Sequence, residues 1–122
     1  MKKMYIMRHA YEGDLNSNNP KRKERVSDEI KDTATELNKG LDDLVDTVVV
    51  TGEAYRAQAT ADILVKDLIE CGKKTIKVTD WRTKGRLREL VNEYRDREHD
   101  VVILISHEQD IYEYLGKEAK HL

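Results

Sequence analysis

The sequence predicts a three-layer α/β sandwich: a mostly parallel central sheet flanked by helices. Three observations predict it. Short apolar runs alternate with longer amphipathic ones along the whole chain. The runs at 46–51 (DTVVVT) and 100–106 (DVVILIS) lack the polar alternation of a strand with one wet face, which suits strands buried on both sides. Helical patterns separate the runs, and parallel neighbours in one sheet need such crossovers.

The elements follow in order. Residues 3–7 read as the first strand, which runs directly into Arg8 and His9. The polar stretch 11–26 reads as a mobile loop, and it alone is long enough to overhang the end of that strand. Within it, Lys21-Arg22-Lys23-Glu24-Arg25 reads as a solvated approach to a helix, or as a contact for an acidic partner. Ser27 can cap a helix to residue 39, with Ile30, Ala34 and Leu37 on one face and Gly40 past its end. After the strand 46–51, residues 54–70 place Ala57, Thr60, Ala61, Leu64 and Leu68 at helical spacing, and Gly72 closes that helix. The alternating TIKVT at 75–79 suits a strand nearer an edge. Leu87, Leu90, Val91 and Tyr94 mark a third helix, and 100–106, the most apolar stretch, should be central. Ile111, Tyr114 and Leu115 mark a fourth helix ending near Gly116. There is no repeat, low-complexity tract or linker, so residues 1–122 are expected to form a single domain.

Composition narrows the function classes. Charged residues make up 38% of the chain and aromatics 6%, so the core must be largely aliphatic. Net charge is −2, with basic residues scattered among acids, which argues against a nucleic-acid partner and its need for an uncompensated basic face. The one cysteine, Cys71, allows no intrachain disulfide and no thiolate metal cluster, and reads as a passive thiol near a helix end. Lys77 stands where a Cys-x5-Arg phosphatase loop would need its arginine. No apolar run reaches membrane length, and Arg8 and His9 interrupt the first one, so a cytoplasmic protein without a membrane partner is expected.

In sheets of this kind ligands bind beyond the carboxyl ends of the strands. Arg8-His9 follows the first strand, Thr51-Gly52-Glu53 the second and Ser106-His107-Glu108 the last, while Arg56 falls in the first turn of its helix. Two His and two Arg on one edge suit an anion. Guanidinium forks match phosphate oxygens, and a helix amino end adds N–H groups and a favourable dipole. A neutral imidazole can attack phosphorus when its other nitrogen is held by an acceptor. A second, protonated imidazole can stabilise the charge that spreads over the equatorial oxygens. Singly, each of these residues has an ordinary structural explanation; their combination at strand ends points to chemistry. His99 lies at the opposite end of the sheet and His121 in the tail, so neither is a candidate.

Tyr5-Ile6-Met7-Arg8-His9-Ala10 resembles the Arg-His-Gly signature of the histidine phosphatase superfamily, and its SixA-type phosphohistidine phosphatase branch in particular. Val48 to Ala61, with Thr51-Gly52 followed by Arg56-Ala57-Gln58-Ala59-Thr60-Ala61, is similar to that family's strand, Ser-Pro turn and Arg-Ala-x-x-Thr-Ala helix. Val102 to Asp110 is similar to its late strand ending in Ser/Gly-His-Glu-Pro-Asp. The three blocks keep the family's order across residues 4–115. The resemblance implies a minimal phosphoglycerate mutase-like fold with no metal or other cofactor. It implies that His9 is the transiently phosphorylated nucleophile, that Arg8 and Arg56 clamp phosphate, and that His107 is the second histidine of the phosphate pocket. Ala10 stands for the commoner Gly, Thr51-Gly52 for Ser-Pro, Gln109 for Pro and Ile30 for a Gly of the first helix, and none of these changes removes a charge from the pocket. Asp80, Glu108, Glu12 and Asp14 are all candidates for a general acid.

The leading expectation is a phosphatase acting on phosphohistidine, including a phosphohistidine protein, or on a small phosphoester. A non-catalytic phosphate-binding or partner-binding module on the same fold is the alternative. A mutase is disfavoured by length, because phosphoglycerate mutases use larger insertions to retain and re-orient substrate.

Overall fold

A computed structural model describes residues 3–9, 19–39 and 46–119 of the chain. Element order is β1 (Lys3–Arg8), α1 (Pro20–Lys39), β2 (Asp46–Thr51), α2 (Tyr55–Glu70), β3 (Lys74–Thr79), a 3-10 turn (Trp81–Thr83), α3 (Leu87–Arg95), β4 (Val101–Ser106) and α4 (Glu108–Ala119). The strands form one sheet in the order β1-β4-β2-β3, every pair parallel. The most apolar strand, β4, therefore sits between β1 and β2 and is buried along its whole length. The alternating β3 takes an edge, as its sequence predicts.

Period-two geometry sorts the side chains into two cores. Val49, Val101, Ile103 and Ile105 face one way and pack with Ile30 and Ala34 of α1 and Ala57, Ala61, Leu64 and Leu68 of α2. Val48, Val50, Val102 and Leu104 face the other way and pack with Leu87, Leu90, Val91 and Tyr94 of α3. Ile111 and Tyr114 of α4 complete that second layer. The sheet is thus covered on both faces, which explains why the sequences of β2 and β4 carry no polar alternation. Ile30, which stands where the resembled family usually has Gly, is simply a core residue, 5% exposed.

Two helix boundaries depart from expectation. α1 begins at Pro20, not after Ser27, so the basic run at 21–25 is helix rather than loop. The cap is Asn19, whose Oδ1 accepts a hydrogen bond from the Lys21 N–H at 3.0 Å. Pro20 follows at the first helical position, where its fixed φ fits and its missing N–H costs nothing. Of the expected overhanging loop, only residues 11–19 remain outside α1, and 11–18 lie outside the described residues, as does Gly40. At the other end, α4 starts at Glu108, directly after His107, and continues through Gly116 to Ala119. Cys71 caps the carboxyl end of α2 and is exposed, and Gly72 follows with φ +88°, the left-handed turn its position requires.

Candidate active site

Register brings the two histidines together. In the β1–β4 ladder Arg8 lies opposite Ser106, and the His9 N–H extends the ladder by bonding the Ser106 carbonyl at 3.3 Å. His9 and His107 are therefore the next residues on adjacent parallel strands. Their rings meet edge-on, centroids 5.0 Å apart, with Nε2 of His9 3.2 Å from Nδ1 of His107. One of these two nitrogens carries the shared proton.

Arg56 approaches from the other side of β4, because β2 is that strand's second neighbour and α2 starts four residues after β2 ends. Ala54, the residue before α2, offers no side-chain cap, so the first-turn N–H groups beside Arg56 are not claimed by a capping side chain. The turn between β2 and α2 carries Thr51-Gly52 where Ser-Pro is expected, yet it is firmly tied. Gln58 Nε2 donates to the Gly52 carbonyl at 2.8 Å and to Thr79 Oγ1 at 2.9 Å. Gly52 is also packed against Thr83: a Cβ built there would come within 2.7 Å of Thr83 Oγ1. Close approach, not backbone angle, is what demands glycine here.

Thr83 in turn fixes the β3 side of the site. Its hydroxyl donates to the Asp80 carbonyl at 3.1 Å, and its own carbonyl accepts from Ser106 Oγ at 2.5 Å. Two residues on, the Gly85 N–H donates to Asp110 Oδ1 at 2.9 Å. The loop after β3 is thus fastened to both flanks of His107, at Ser106 and at Asp110.

Burial pushes the His107 imidazole below the usual histidine range. The charges of His9 and Arg56 act in the same direction, Asp110 opposes them, and Lys84 adds to the lowering. These surroundings therefore favour the neutral form of His107 at pH 7. Arg8 is oriented differently. It shares the parity of Met4 and Ile6, which pack on the α3 side of the sheet, and there its guanidinium pairs with Glu108 at 3.3 Å. Both side chains of this pair are more than half exposed.

Of the acid candidates, Asp80 is committed elsewhere. Its carboxylate is bound by the Arg82 guanidinium at 2.8 Å and accepts from the Arg82 N–H, and Arg82 also holds Glu93 at 2.9 Å. The hydrogen bonds from Arg82 keep the Asp80 carboxyl below the usual carboxylate range, which removes it as a proton donor at neutral pH. Glu108 stands beside His107; Glu12 and Asp14 lie outside the described residues. Among the described residues no group of three or more His, Cys, Asp or Glu comes together as a metal site would require. His99 stacks on Tyr94, centroids 6.4 Å apart, before the start of β4 and so away from the carboxyl edge, and His121 lies outside the described residues.

Sequence reasoning passes over Thr83 and Lys84, and it places Gln58 and Asp110 within the resembled blocks without giving either a role. Asp110 carried a readable signal, a carboxylate in the first turn of a helix; Lys84 carried none, since only the path of the loop brings it to His107.

No family model and no curated protein matches the chain. Solved structures do. A phosphoglycerate mutase from Plasmodium falciparum superposes with a TM-score of 0.69 at 15% identity, covering 98% of this chain and 76% of that one. A structure assigned as the phosphohistidine phosphatase SixA of Agrobacterium tumefaciens superposes with a TM-score of 0.60 at 18% identity, covering 98% of this chain and 79% of that one. On these superpositions, the four-stranded parallel sheet and its two helix layers make up a phosphoglycerate mutase-like fold, and that is the fold of this chain.

Proposed function

We propose that this protein is a phosphatase that works through a phosphohistidine intermediate on His9. The observation that carries the reading is the contact of His9 Nε2 with His107 Nδ1 at the carboxyl edge of the sheet, beside Arg56 and the uncapped start of α2. With the shared proton on His107 Nδ1, His9 Nε2 is the unprotonated nitrogen, and its lone pair attacks phosphorus once an arriving phosphate takes over the hydrogen bond from His107. The bond from phosphorus to the leaving group breaks as the bond to Nε2 forms, and the leaving group departs with the bonding pair and takes up a proton. Water then attacks the phosphorylated imidazole, the P–N bond breaks, and inorganic phosphate leaves with His9 restored.

Arg56 and the α2 N–H groups would hold the non-bridging oxygens, and an arriving phosphate dianion would raise the affinity of His107 for a proton. The imidazole whose surroundings favour its neutral form would thereby become the cation that stabilises the transition state. Arg8 would join the clamp by exchanging its Glu108 partner for phosphate. A phosphorylated side chain on another protein, phosphohistidine above all, suits this chemistry, because its P–N bond is labile and asks little of a general acid.

The test is hydrolysis of a phosphohistidine protein and of a panel of phosphorylated metabolites by the wild type and His9→Ala. Turnover of the phosphohistidine protein, abolished in His9→Ala, is the expected result. Undiminished turnover by His9→Ala would exclude the mechanism, and phosphate binding without any turnover would favour the non-catalytic module.

A further inference from the structure

The loop that follows β3 is held unusually well for an exposed connection, and one cation stands at its centre. Thr83 donates through its N–H to the Asp80 carbonyl at 3.3 Å, and the Lys84 N–H donates to the Trp81 carbonyl at 3.2 Å. The Thr83 carbonyl is held by Ser106 Oγ, and the Gly85 N–H by Asp110 Oδ1. Lys84 is thus clamped on both sides by the residues that bracket His107 in sequence. Gly85 completes the turn with φ +88°, a conformation that L side chains rarely adopt.

The cations around Lys84 are already engaged. Arg82 is held by Asp80, Glu93 and Glu89, and Arg86 pairs with Glu89 at 3.6 Å while lying over the Trp81 ring. Lys84 is exposed and enters no ion pair among the described residues, and its charge reaches the His107 imidazole. A flexible ammonium on a rigid base at the rim of an anion site is a reader for a second negative group.

We propose that Lys84 is a specificity residue, which selects phosphorylated ligands that carry a second anionic group on the β3 side of the phosphate. The group recognised is a carboxylate or second phosphate a few bonds from the phosphoryl centre. It can belong to a small phosphorylated acid or to an acidic residue beside a phosphorylated side chain. The inference rests on the reading of His9, His107 and Arg56 as a phosphate site, but it concerns recognition and not turnover.

Calorimetric binding separates the two. Inorganic phosphate serves as the single-anion probe and phosphoglycolate as the probe with an added carboxylate. Phosphoserine peptides with Asp or Ala beside the phosphoserine distinguish a protein source from a small-molecule one. The wild type should bind phosphoglycolate, or the Asp peptide over the Ala peptide, about tenfold more tightly than its single-anion counterpart, as one charge-assisted contact allows. Lys84→Gln should collapse that ratio toward one, and Lys84→Arg should retain most of it. A wild type without either preference, or a preference that survives in Lys84→Gln, overturns the proposal. A protein that shows the preference yet never phosphorylates His9 would overturn the phosphatase reading alone.

Discussion

At the scale of single residues, the side chains of the site are paired with one another. His9 is occupied by His107 and Arg8 by Glu108, so under the proposed function an arriving phosphate would have to replace both partners. The Arg8–Glu108 pair is exposed on both sides, and such pairs hold only weakly. Glu108→Gln should therefore tighten inorganic phosphate by about two- to fivefold, by freeing Arg8 and removing a like charge. An NMR titration of the imidazole protons would measure this, and weaker phosphate binding by the variant would show that Glu108 supports the site. His107 gives a pH prediction of definite sign. Its folded-state pKa lies below the unfolded value of about 6.5, so the unfolded chain takes up the proton first. The stability held by the neutral imidazole is complete above that unfolded value and is lost as pH falls toward the depressed one. Thermal unfolding from pH 7 to pH 5 should show a falling Tm, and His107→Gln should flatten part of that fall. The charges of His9, Arg56 and Lys84 lower its proton affinity and that of Asp110 raises it, and a bound phosphate dianion, acting as Asp110 does, should shift its titration upward.

At the scale of elements, the sheet was legible and the helix starts were less so. β2 has the bounds its sequence predicts, and the other three strands differ by one residue, because β-branched runs between polar turns leave little freedom in register. α1 was misplaced because its first two turns are so highly charged that they show no apolar face. The local signal was nonetheless present in Asn19-Pro20, a cap followed by the residue best suited to a first helical position. Asn19→Ala should cost about 0.5–2 kcal/mol in urea unfolding. Ser27→Ala, now inside the helix, should be neutral or slightly stabilising; the reverse ranking would restore the later start. Gly52 illustrates a feature that no single element reveals. Its turn is chemically unremarkable in sequence, and only the Thr83 hydroxyl from a distant loop makes it obligatory. Gly52→Ala should destabilise by about 1–3 kcal/mol through overpacking and weaken phosphate binding as Arg56 shifts. A fully stable variant with unchanged affinity would mean that Thr83 yields without consequence.

At the scale of the whole molecule, two short sequence blocks 98 residues apart become one contact because β4 inserts between β1 and β2. The pairing of His9 with His107 follows from that strand order and from the register Arg8–Ser106, neither of which is written in the spacing of the residues themselves. Convergence on one edge could be expected from parallel strands alone. What could not be expected was the division of labour: Arg56 beside the histidines, Arg8 drawn toward α4 by strand parity, and the β3 loop delivering Lys84. The catalytic reading is tested most directly by trapping the intermediate. Protein quenched in alkali after brief exposure to a radiolabelled phosphodonor should retain label on one peptide, the one that contains His9. That label should survive base and be lost in acid, as phosphoramidates behave, and it should be absent from His9→Ala. Label on another residue, or an acid-stable phosphoester, would contradict a nucleophilic His9.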